Sequence, residues 1–269
     1  MRTENIALKN GEMTVMDCGK LRIYVYNTKD AIDDQVIMVE KPHIIGKGGK
    51  AVVIELPCFK NSIEEMTQFI AENKIDVRGK LVAYHAAGDF LPEVKSYMTE
   101  SAHKYNTVGG GKGLIDQFTG AFGDAFDSTI TGDGTRIGAG KLTIANIDMV
   151  INPDSDAYEV EIPDAKAVYM HMLGHDCHSI VAGAGHADAI ISNLRGYLDR
   201  GFELFLSAHY GPETRKDVET KIAYLEMLKK TAAESSSAQE FKQKVEAACP
   251  GYSGQNYLNM TVGFFFPSQ

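Results

Sequence analysis

Short β-rich apolar runs occupy residues 13–17, 21–26 and 35–40, separated by the polar stretches CGK and NTKDAIDD. Runs of this length between Gly, Asn and Asp clusters predict the strands of a meander. GKGGK then turns the chain into AVVIEL, a continuous apolar run that predicts a strand buried on both faces. After Pro57, NSIEEMTQFIAENK sets Ile63, Met66, Phe69 and Ile70 at helical spacing behind Asn61 or Ser62 as N-cap, with acids in the first turn. That helix is expected to end by Asp76. KLVAY predicts a second buried strand, which carries His85 and Asp89 at its C-terminal end before a proline-led helix start near Leu91.

The segment from Val108 to Gly140 contains GGGKG, FTGAFGDAF and TGDGTRIGAG, and predicts a flexible or lid-like loop region. GGGKG lacks the spacing and the terminal Ser/Thr of a phosphate-binding P-loop. Strand patterns return in KLTIANIDMVI, AYEVEIP and KAVYMHML, which predict a second sheet. GHADAIISNLRGYLDRGF reads as a helix, FELFLSAHYGP as a strand running into a loop, and KDVETKIAYLEMLKKTAAE and SAQEFKQKVEAACP as two further helices before an aromatic tail. No repeat of solenoid length is visible, and a single α/β domain over residues 1–269 is expected.

Composition narrows the function classes. With 44% hydrophobic and 23% charged residues in 269, the chain has the make-up of a soluble globular protein. A formal net charge of -9 argues against nucleic acid as the main partner, since phosphate backbones need a basic face. No apolar run is long enough for a membrane span, and MRTENIALKN has no signal-peptide character, so a cytoplasmic protein with a small-molecule substrate or ligand is expected. Cys18, Cys58, Cys177 and Cys249 form no CxxC pair and read as reduced thiols.

The order of these features resembles the metallo-β-lactamase superfamily from about Val36 to Lys229. AVVIELP is similar to the family strand that ends in an acid, and VAYHAAGDF stands where the family has H-x-H-x-D-H. GDGTRIGAGKLTIANIDMVINP resembles its hairpin, EVEIPDAKAVYMHM the strand pair before its metal-bridging acid, and SAHYGPETRKDVETKIAYLEML its gly-his-gly-pro loop and following helix. The resemblance implies a four-layer αβ/βα sandwich and a metal-dependent hydrolase.

Carried across residue by residue, the resemblance leaves gaps. His85 and Asp89 keep their motif positions, whereas Ala87 and Phe90 stand at histidine positions. Ser155, beside Asp156, falls near another histidine position, Met172 stands at the bridging acid, and His209 keeps the last histidine. A dinuclear zinc site needs about three protein ligands per metal, so at most one divalent ion is expected: zinc, or iron, manganese or nickel, or none.

The run MHMLGHDCHS offers compensation, and whether His171, His175, Asp176 or His178 completes the site stays open. One reading has His175 or Asp176 join His85, Asp89 and His209. The other has His171 alternating with Met170 and Met172 along a strand while its neighbours cap or solvate the loop. His43, His103 and His186 read as structural. In the hydrolase reading Asp89 orients or deprotonates a metal-activated water, and Tyr84, Tyr210 or Lys112 stabilises an oxyanion. In the competing reading the fold is a non-catalytic module that binds a small molecule or a partner, and Asp89 caps the helix near Leu91.

Overall fold

Each N-terminal apolar run becomes a strand because a short polar turn returns the chain beside its predecessor. The computed structural model describes residues 2–32, 34–42 and 48–267. His43 and part of the GKGGK turn lie outside them. β1 (Arg2–Ala7), β2 (Glu12–Asp17), β3 (Arg22–Asn27), β4 (Gln35–Pro42) and β5 (Gly49–Ile54) pair antiparallel in chain order. α1 (Lys60–Glu72) then crosses over, so that β6 (Asp76–Leu81) joins β5 in parallel, followed by β7 (Ser96–Met98). α2 (Glu100–Val108) and α3 (Gly110–Phe122) precede β8 (Thr135–Arg136), which closes the eight-stranded sheet in parallel with β7.

The described residues fall into two compact units. The first comprises Met1–His171 and Leu206–Gly211, the second Met172–Phe205 and Pro212–Gln269. Within the first unit a second antiparallel meander runs through β9 (Gly140–Ile144), β10 (Ile147–Pro153), β11 (Tyr158–Ile162) and β12 (Ala167–Met170). Ala145 and Asn146, at φ 59° and 61°, make the two-residue turn between β9 and β10, where paired positive φ values match the strand twist. Its buried face meets the first sheet, with the Tyr158 hydroxyl donating to the Tyr97 carbonyl at 3.2 Å. Val36–Val39 of β4 and Val52–Ile54 of β5 are all fully buried, as expected of strands covered on both faces.

The second unit holds α4 (Ala184–Asp199), most of the short hairpin β13 (Leu204–Ser207) and β14 (Glu213–Thr214), and α5 (Arg215–Ala233), α6 (Ala238–Ala248) and α7 (Gln255–Phe265). Thr214 and Asp217 form a reciprocal capping box at the start of α5, satisfying two otherwise orphaned N–H groups.

Four sequence expectations change. The glycine-rich stretch is helical over α3, because Ile115 is buried against Cys58, Phe59, Ala87 and Phe126 while Phe118 and Phe122 pack on the same cluster. Tertiary burial overrides the poor propensity of its glycines. Gly111 is required there, since a Cβ would lie 2.7 Å from the Tyr105 ring. No helix starts near Leu91: Leu91 sits at φ 47°, and the buried Lys80 ammonium takes the carbonyls of Phe90 and Leu91 at 2.7 and 3.0 Å. The next helix is α2, capped by Thr99 rather than Asp89. α1 starts behind Phe59, and Ser62, instead of capping it, donates to Asp30 at 3.1 Å. The aromatic tail is α7, anchored by buried Leu258 and Thr261.

Candidate metal centre

The end of β6 is fixed by one acid. Glu55, immediately after β5, adopts φ 64°, a conformation that costs a non-glycine residue energy and persists only where its surroundings enforce it. Its carboxylate is buried and accepts the backbone N–H groups of Tyr84 at 2.9 Å and His85 at 2.8 Å, together with the Tyr169 hydroxyl. Burial, and then the Glu55 charge, hold the Tyr169 hydroxyl well above its ordinary pKa, so it remains a donor. The backbone that carries His85 is thereby clamped.

His171 follows β12 directly. Its carbonyl accepts the Ala208 N–H at 3.2 Å and the Ser207 hydroxyl at 3.0 Å, and the same hydroxyl accepts the His209 N–H at 3.3 Å. These contacts bring three imidazoles together. The ring centroids of His85, His171 and His209 lie 4.8–5.1 Å apart, and each ring offers a nitrogen within 4.8 Å of the others. Among the described residues this is the group of three side chains able to hold a metal ion. Tyr84 stacks on His171 with centroids 4.0 Å apart and donates its hydroxyl to Asp154 at 2.8 Å. Burial, and then Asp154, push the Tyr84 pKa up.

The cluster has the marks of a cation site. Nδ1 of His85 and Nδ1 of His171 are buried without a hydrogen-bond partner, as is Oδ1 of Asp34, and such orphaned groups are costly unless something else binds them. Asp34, 1% exposed, places Oδ1 3.2 Å from His209 Nδ1 and Oδ2 3.5 Å from His85 Nδ1. Burial, and then the like charges that His85 and His209 would carry, hold the His171 pKa well below its ordinary value. A neutral imidazole keeps the lone pair that a metal needs. The donor set fits a divalent metal.

Of the residues singled out from the sequence, the structure brings together His85, His209 and, from the set left open, His171. Asp89 is exposed and its N–H donates to Asp127 at 3.0 Å. Ala87 and Phe90 are buried. Met172 is 38% exposed. Asp154, one residue before Ser155, accepts the N–H groups of Asp156 and Ala157 in a tight turn. Lys112 pairs with Asp116 on α3. In the second unit Asp176 is exposed, whereas His175 donates its N–H to Glu213 Oε1 at 2.6 Å and sets its ring Nδ1 at the same distance from that oxygen. His178 is fully buried, with Nδ1 2.9 Å from the Tyr224 hydroxyl. His186 accepts the Ala182 N–H, and His103 lies half-buried on α2. Asp34 and Glu55 were not singled out as site residues. Glu55 has a local signal, an acid closing an otherwise apolar strand, but Asp34 is one of several acids in a polar loop.

No family model and no curated protein matches the chain by sequence. Solved structures do match in fold. A metallo-β-lactamase family protein from Thermus thermophilus superposes with a TM-score of 0.60 at 11% identity, over 91% of each chain. A β-lactamase domain protein from Burkholderia ambifaria gives 0.61 at 10% identity, over 93% of this chain and 85% of its own. A stereoselective inverting sec-alkylsulfatase from Pseudomonas sp. gives 0.55 at 10% identity over 97% of this chain, which spans only 49% of the alkylsulfatase. The chain adopts the metallo-β-lactamase fold, as the order of its motifs implies, and its three-histidine cluster could hold a metal ion. Among the described residues no helix is long and apolar enough to cross a membrane.

Proposed function

We propose that the protein binds a single divalent metal ion on His85, His171 and His209 and hydrolyses a small-molecule substrate there. The observation that carries this reading is the convergence of three imidazoles, two of which, His85 and His171, have a buried Nδ1 without a partner. A metal bound there supplies a Lewis acid and lowers the pKa of its water toward neutrality. Glu55 holds His85 in place through the backbone, and the carbonyl of His171 is fixed by Ser207 and Ala208. Tyr84, kept protonated and braced by Asp154, covers one face of His171 and limits how that ring can turn.

A single ion, rather than two, is supported by Ala87 and Phe90. Both stand at family histidine positions and both are buried, with Ala87 packed among Cys58, Phe59, Ile115 and Phe126. Zinc suits an imidazole-rich set best, and iron, manganese or nickel remain chemically compatible. Elemental analysis of protein purified without a histidine tag tests the reading. About one equivalent of metal per chain is expected. Two tightly held equivalents would overturn the mononuclear site, and none would replace the hydrolase with a non-catalytic small-molecule binding module.

A further inference from the structure

The geometry points to Asp34 as the fourth protein ligand of this centre, an oxygen donor contributed by the loop between β3 and β4; the inference rests on the metal-centre reading above. The first argument is distance. A tetrahedral ion with bonds of about 2.0–2.1 Å separates its ligand atoms by about 3.3 Å. Asp34 Oδ1 lies 3.2 Å from His209 Nδ1, the spacing of one edge of such a tetrahedron, and its other oxygen, Oδ2, lies 3.5 Å from His85 Nδ1.

The second argument is what those contacts are not. Although the atoms are close enough for hydrogen bonds, Asp34 Oδ1 and His85 Nδ1 are buried without one. A carboxylate held beside two imidazoles with the donor directions unmet is arranged as a ligand set is, around a shared cation. The other oxygen has a separate partner: the Cys58 thiol donates to Oδ2 across 3.7 Å.

The third argument is preorganisation. The Asp34 carbonyl accepts the Thr28 N–H at 2.9 Å, and the next residue, Gln35, donates its N–H to the Ala208 carbonyl at 2.7 Å. Asp34 is thus fixed by backbone bonds to the segment that carries His209. One carboxylate with three neutral imidazoles leaves a divalent ion with a net charge of +1, enough to attract a water or a substrate oxygen.

The test is metal binding rather than turnover. Zinc affinity by competition with a chelating indicator, and the visible spectrum of the cobalt-substituted protein, are measured for the wild type, Asp34→Asn and Asp34→Ala. The wild type is expected to bind one ion, and Asp34→Asn to lose more than about 100-fold in zinc affinity, beyond what outer-shell changes usually cost, with altered cobalt bands. A loss below about tenfold with unchanged bands would overturn the assignment while leaving the three-histidine centre standing. A wild type that binds no metal would overturn the centre itself and Asp34 with it. Should both variants fail to fold, a crystal structure of the zinc-loaded wild type decides: an Asp34 oxygen within about 2.2 Å of the ion is expected, and a water in that place would overturn the assignment.

Discussion

The first unit gathers the rings of His85, His171 and His209, with Nδ1 of His85 and of His171 buried and partnerless, whereas in the second unit His175 and His178 each spend a ring nitrogen on a protein partner, Glu213 and Tyr224. Nε2 of His178 also lacks a partner, yet His178 belongs to no ligand-bearing trio among the described residues. Density of histidines along the sequence is therefore a poor guide to a metal site. The run from His171 to His178 is dense, but only its first member joins the trio, because it alone follows β12 directly within the first unit.

The comparison breaks most decisively at metal binding. His171→Ala should cost more than about 100-fold in zinc affinity, a larger loss than removing an outer-shell partner brings, while His175→Ala should leave affinity unchanged. Equal losses, read by indicator competition, would mean that the second unit contributes a ligand. Thermal melts give the next effect, with the order reversed. His178→Ala removes a fully buried ring and its bond to Tyr224 and should cost about 2–4 kcal/mol. His209→Ala, whose ring is half-buried, should cost less than about 1 kcal/mol in metal-free protein. If His209→Ala is the more damaging, that ring is a packing residue and the centre is misassigned.

The smallest effect is in titration. Burial works against protonation of His175, but the hydrogen bond and charge of Glu213, with Asp217 and Asp176, outweigh it and raise its pKa. Burial, and then Lys221, lower that of His178. The signs are opposite. The His175 contribution to stability is fully present below its unfolded value near 6.5 and is lost as pH rises through the raised folded value. The His178 contribution is intact above that same value and is lost as pH falls toward the depressed folded value. Histidine resonances followed by NMR should show His175 titrating above His178, and Glu213→Gln should move His175 downward and leave His178 in place. A His175 that does not move would remove Glu213 as the cause.

Much of the architecture is legible in the sequence, because period-2 alternation and unbroken apolar runs are local signals. β2 to β5 and β9 to β12 lie where those runs stand, whereas β6 begins earlier than the expected strand KLVAY and shares only Lys80 and Leu81 with it. α3 is not legible, since its glycines suppress propensity and its stabilisation comes from Ile115 meeting residues far along the chain. The site divides in the same way. His85 and His209 stand at motif positions, but the contact of Asp34 with both depends on the backbone bond from Gln35 to Ala208, which joins distant segments and leaves no periodic trace.

The division of the chain has a consequence for timing. His85 and His171 are synthesised before the ribosome has made any of Met172–Phe205, yet the first unit is complete only when Leu206–Gly211 returns to it carrying His209. A nascent chain can present at most two of the three imidazoles until that return has happened. The proposed three-histidine site can therefore exist only once synthesis has passed His209.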